Sequence, residues 1–154
     1  MSSTFKYCWE DFIVGQVREF GARVVSEDDI MAFAKEYDPQ SFHVDKEAAK
    51  QTIFKGLVAS GWQTCALMMR MICDDYLLDS SSQGSPGLDF VKWNKPVKPG
   101  DCLRVRSTIV ETRIMNSKPH LGLVKMFWEC LNQNNEVATS MQGWVIFSKR
   151  DGKA

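Results

Sequence analysis

The sequence predicts an α+β domain in which a curled antiparallel β-sheet wraps around one long buried central α-helix. Three observations carry this. The stretch from Leu57 to Leu78, LVASGWQTCALMMRMICDDYLL, is apolar on nearly every side of a helical projection, the pattern of a helix enclosed by its neighbours. Downstream of Gly87 the apolar period changes to two, which is the period of strands. The connections between the later strands are too short for a crossover helix, so the strands must pair antiparallel.

Taken in order, Ser26-Glu27-Asp28-Asp29 is a helix start, with Ser26 as N-cap and acidic residues favourably placed in the first turn. Ile30, Phe33, Ala34 and Tyr37 mark one face of that helix, and Pro39 disfavours helical geometry at Asp38, so the helix ends there. A second short helix follows, capped by Asp45, with Ala48 and Ala49 as its small buried face, and this places His43 in a loop between two helices. The apolar stretch from Leu57 to Leu78 would form a helix about 30 Å long at roughly 1.5 Å per residue. Asp79 to Gly87, DSSSQGSPG, reads as a loop and as the most mobile segment. Pro96 to Asp101 introduces the first long strand, on which Leu103, Val105, Ser107 and Ile109 alternate with more polar neighbours. Val124, Met126, Trp128 and Cys130 line the next strand, Asn132 to Asn135 supply turn chemistry, and Met141, Gly143, Val145 and Phe147 line the last.

Composition narrows the function. At 154 residues the chain is read as one domain, 1–154, long enough to bury a real core. A hydrophobic fraction of 44% and a charged fraction of 25% are those of an ordinary soluble protein. Lys+Arg and Asp+Glu both total 19, which removes the general electrostatic argument for nucleic acid or an anionic membrane as partner. No secretory-type start and no apolar run long enough to span a bilayer is present, so a cytoplasmic protein is expected. The five cysteines (Cys8, Cys65, Cys73, Cys102, Cys130) are odd in number, lie mostly in apolar patterns and form no CxxC, which predicts reduced thiols and no metal site.

The segment YDPQSFHVDKEAA carries the chemistry. It places one of only two histidines, His43, five residues after Asp38. The two are either polar loop residues or the halves of an acid/base pair. The longer pattern FAKEYDPQSFHVDKEAA, followed by IFKGLVASGW, resembles the hydratase motif of the MaoC-like dehydratases and (R)-specific enoyl-CoA hydratases, which have the hot-dog fold. VKWNKPVKPGDCLRV and ECLNQNNEV are similar to that family's sheet, so the resemblance spans nearly the whole chain.

The resemblance implies hydration of trans-2-enoyl-CoA to (R)-3-hydroxyacyl-CoA, or the reverse dehydration. Asp38 and His43 would be the catalytic pair, holding the water between them. Gly61 would offer a backbone amide at a helix start to the thioester oxygen, where negative charge develops. Ser60 would cap that helix and could also touch the thioester. The substrate is then an acyl-CoA thioester, with coenzyme A part of the substrate, no further cofactor, no metal, and a homodimer as the assembly. Two positions depart from the family pattern Asp-x-Asn-Pro-x-His and Ile-Ala-His-Gly: Gln40 and Ser41 stand for Asn and Pro, and Ser60 stands for a second histidine. A hot-dog acyl-CoA thioesterase and a non-catalytic acyl-thioester binding module are the alternatives. His120 reads as an exposed turn residue. Trp62, Met68, Met69 and Met71 are read as core, with an acyl tunnel as the alternative. Lys92, Lys95, Lys98, Arg113 and Lys118 read as scattered surface cations, with coenzyme A phosphates as a possible contact.

Overall fold

The computed structural model describes residues 4–152. Five strands form one antiparallel sheet: β1 (Val17–Val24), β2 (Gly87–Trp93), β3 (Cys102–Met115), β4 (Lys118–Leu131) and β5 (Val137–Ser148), in the order β1-β3-β4-β5-β2. The helices are α1 (Glu27–Tyr37), α2 (Ser41–Val44), α3 (Lys46–Lys50) and α4 (Gly61–Ile72). The sheet wraps α4, which is the hot-dog arrangement expected. Among the described residues no helix is long and apolar enough to cross a membrane.

The strand faces are those the alternation predicts. Leu103, Val105 and Ile109 of β3, Val124, Met126, Trp128 and Cys130 of β4, and Met141, Val145 and Phe147 of β5 are all buried and form one core with Met68, Met71 and Ile72 of α4. The β4–β5 turn is built by Asn132, whose side-chain oxygen accepts from the amides of Asn134 (2.9 Å) and Glu136 (3.1 Å), while Asn135 takes a φ of 61°. Strand β1 was not foreseen. Its sequence, VREFGARV, buries none of its residues and is broken by an irregularity between Phe20 and Arg23. Gly21 sits there with φ 84°, and a Cβ would overlap the Met71 side chain.

The central helix is shorter than the apolar stretch. Leu57, Val58 and Ala59 are buried but extended: the Val58 amide bonds the Phe42 carbonyl and the Ala59 amide bonds the Val97 carbonyl. At the other end Cys73–Leu77 continues as a wider, π-type turn. Nor is α4 enclosed on all sides, since Trp62 is 60% and Met69 49% exposed. His120 lies within β4, half-buried, rather than in a turn. Cys8 and Cys130 are buried and the other three cysteines half-buried.

Tyr76, in the π-type turn, locks this helix to the sheet. Its hydroxyl donates to the Met126 sulfur (3.2 Å) and accepts from the Trp128 indole N–H (3.3 Å), and burial pushes its pKa up to about 12. Tyr76→Phe leaves that indole N–H buried without this partner. The expected cost is about 1–3 kcal/mol of folding free energy, measured by urea denaturation; an unchanged midpoint and slope would refute it.

Candidate active site

The end of α1 presents the first functional side chain. The Asp38 amide closes the last turn on the Ala34 carbonyl at 2.9 Å, and Pro39 stops the helix from continuing, so Asp38 leaves it in a non-helical conformation, φ −153° and ψ 71°. The chain then turns at once into α2, with the His43 amide on the Gln40 carbonyl and the Asp45 amide on the Ser41 carbonyl, both at 2.9 Å. His43 therefore sits inside a four-residue helix and not in a loop, because a single further turn fits between Pro39 and the cap at Asp45. Asp45 does cap α3, accepting from the amides of Glu47 and Ala48; Ala49 is buried and Ala48 half-buried.

Asp38 and His43 come together. His43 Nε2 lies 3.3 Å from Asp38 Oδ2, with side-chain exposures of 6% and 17%. The opposite ring nitrogen, Nδ1, is 2.6 Å from the Val58 carbonyl oxygen. A carbonyl only accepts, so Nδ1 carries a hydrogen, and in the neutral form of the ring the lone pair is the one at Nε2. Asp38 is held from two sides: Gln40 Nε2 donates to Oδ1 and Ser60 Oγ donates to Oδ2, each at 2.7 Å. Burial pushes the Asp38 pKa up, but the Gln40 and Ser60 hydrogen bonds, joined by the positive charge of His43 whenever its ring is protonated, outweigh it and hold the carboxyl below its usual range. With the ring in its neutral form, an ionised carboxylate and an imidazole lone pair face one another. A water molecule donating both its hydrogens satisfies both.

Ser60 and Gly61 form the start of α4. Ser60 is fully buried and its hydroxyl has two tasks, accepting from the Trp62 amide (3.2 Å) as N-cap and donating to Asp38. The Gly61 amide makes no hydrogen bond among the described residues. A Cβ on Gly61 would overlap the Trp93 indole, so a side chain here forces the ring or the helix start to shift.

Asp38, His43 and Gly61 line a cavity of about 380 Å³ whose apolar walls include Phe42, Phe54, Trp62 and Trp93. Phe42 packs edge-on against the His43 ring with centroids 4.4 Å apart. Of the predicted cations, Lys95 reaches this wall, where it pairs with Glu136, whereas Arg113 stacks on Trp144. Met68 and Met71 belong to the core and Trp62 to the cavity. Sequence reasoning missed Trp93 and Thr139, both in the wall; an indole directly before Asn94-Lys95-Pro96 was the available signal. No group of three or more His, Cys, Asp or Glu residues is placed to hold a metal among the described residues.

Comparison with known proteins places this geometry. The family model described as "MaoC like domain" matches residues 11–125. The uncharacterized protein YdeM of Bacillus subtilis is 35% identical over 127 residues, covering 80% of this chain and 86% of that protein. The mesaconyl-CoA hydratase of Cereibacter sphaeroides is 41% identical over 63 residues, which is 41% of this chain and 18% of that protein. Among solved structures, the MaoC-like dehydratase from Rhodospirillum rubrum superposes with a TM-score of 0.85 at 34% identity, covering 94% of this chain and 98% of its own. With most of its length matched in sequence and nearly all of it in fold, the chain belongs to the MaoC-like domain family.

Proposed function

We propose that the protein hydrates trans-2-enoyl-CoA thioesters to (R)-3-hydroxyacyl-CoA, and catalyses the reverse dehydration, by acid/base chemistry that calls on no metal. The observation that carries this reading is the Asp38–His43 pair, two acceptors 3.3 Å apart on the wall of a cavity large enough for an acyl group. The hydratase name of a partial relative supports the same reaction class. Water held by the pair gives its proton to His43 Nε2 as its oxygen bonds C3, and the ionised Asp38 stabilises the resulting imidazolium. The thioester oxygen carries the developing negative charge toward the Gly61 amide and the start of α4. The imidazolium then returns its proton to C2, so the net change is addition of one water.

The test is a screen of enoyl-CoA thioesters that follows loss of the conjugated absorbance and release of free thiol together. Absorbance loss without thiol supports hydration. Thiol release would instead indicate a thioesterase, and saturable binding without turnover of any thioester would indicate a binding module.

The pH dependence has a defined sign. Asp38 must be ionised, and its pKa is depressed, so the part of the acid limb of kcat/KM that Asp38 sets lies below the usual carboxylate range. Ser60→Ala removes one stabilising hydrogen bond, raises that pKa, and moves the acid limb to higher pH. An unmoved limb in a folded Ser60→Ala variant would leave Ser60 as a helix cap alone.

We further propose a homodimer. Strand β2 is a sheet edge, and the exposed Trp62, Met69, Leu88 and Trp93 lie on β2 and the neighbouring face of α4. Light scattering at micromolar protein should give twice the chain mass; a fully active monomer would refute the assembly.

A further inference from the structure

A second cavity, of about 240 Å³, lies beyond the first along α4, with apolar walls that include Cys65, Met69, Leu88, Trp128 and Met141. Two rows of residues run from one cavity to the other. Gly61, Cys65 and Met69 recur at every fourth position and so share one face of α4; the first lines the catalytic cavity and the other two line the second. Thr139 and Met141 are alternate residues of β5 and so share one face of the sheet; again the first lines the catalytic cavity and the second its neighbour.

Trp93 stands where both rows cross from one cavity to the other. It pairs with Thr139 in the sheet, its indole occupies the space a Cβ on Gly61 would need, and its ring neighbours the Cys65 thiol. The Trp62 ring packs edge-on against it at 5.2 Å. Met69 and Leu88 are about half exposed, so this second cavity is an apolar cleft that reaches the surface and not a sealed void. The cleft is of a kind to take an alkyl chain, and the indole, on the wall of the catalytic cavity, stands between Gly61 of that cavity and Cys65 of the next.

We propose that Trp93 is a partition that sets acyl-chain length: with the indole in place the catalytic cavity takes short enoyl groups, and the cavity beyond is shut to longer ones. The inference rests on the hydratase reading for its substrate class. The indole is half exposed and lies outside the buried core cluster, so a smaller side chain can replace it without opening the core.

The experiment compares kcat/KM for crotonyl-CoA and trans-2-octenoyl-CoA in the wild type, Trp93→Phe and Trp93→Leu, with folding checked by thermal melts. The wild type should favour the shorter substrate by at least about 10-fold, and Trp93→Leu should raise the octenoyl-to-crotonyl ratio roughly 10–200-fold. Trp93→Phe should fall between. Adding Met69→Trp to Trp93→Leu refills the second cavity and should return the ratio toward the wild-type value. A wild type indifferent to chain length, or a ratio unmoved in both folded Trp93 variants, would overturn the proposal. Calorimetric Kd values for butyryl-CoA and octanoyl-CoA separate it from the reaction assignment. If no enoyl thioester is turned over but the Kd ratio shifts in the Trp93 variants, hydration is wrong and the partition stands; if the Kd ratio also stays fixed, the partition falls.

Discussion

Replacing Asp38 by asparagine is expected to slow hydration roughly 10²–10⁴-fold, the usual cost of losing a general acid/base partner. The substitution keeps the shape of the side chain but removes its charge. It also puts an amide opposite His43 Nε2, 3.3 Å away, where an N–H can donate to the lone pair that the water should occupy. His43→Gln should cost a similar factor, because the glutamine offers no titratable nitrogen. Asp38→Asn/His43→Gln should be little slower than either single variant, since groups acting as one unit are strongly non-additive. Were the two merely solvated polar residues, each change would shift stability by less than about 0.5 kcal/mol and leave turnover alone. Initial hydration rates on variants whose melts show a folded protein decide the matter, and wild-type turnover in Asp38→Asn would exclude the pair from the reaction.

Much of this arrangement is legible in the sequence where local rules govern it. The proximity of Asp38 and His43 is legible in their spacing because Pro39 fixes the helix exit and Asp45 fixes the next helix start, leaving the intervening residues little freedom. The faces of β3, β4 and β5 are legible because each has one side in the core, which imposes strict alternation. Strand β1 is an edge with no buried face, so it leaves no such imprint. The overrun of α4 at Leu57 has a different cause: three buried apolar residues in extended backbone look the same in sequence as the first turn of a buried helix. The bonds that tune the site are hidden for a third reason. Ser60 reaches Asp38 across 22 positions, and Trp93 meets Gly61 only because the sheet edge curls over the start of α4. Tertiary contacts of this kind have no local signature.

The Gly61–Trp93 contact makes the start of α4 testable. Gly61→Ala is expected to lower kcat/KM by about 10²–10³, the range seen when an oxyanion donor is lost. Helix propensity alone would favour alanine at this position, so a loss of rate has to come from the new methyl group. That methyl overlaps the Trp93 indole, and either the ring swings into the catalytic cavity or the first turn of α4 backs away from the thioester oxygen. Both outcomes take the free Gly61 amide out of register with the developing charge. Trp93→Leu vacates the space the methyl needs, so in that background Gly61→Ala should cost less than about 10-fold, a coupling that a double-mutant cycle measures directly. Ser60→Ala leaves the indole untouched and should not couple to Trp93→Leu at all. An equal cost for Gly61→Ala in both backgrounds would mean that the indole does not position the helix start, and wild-type rates in Gly61→Ala would remove that helix terminus from the mechanism.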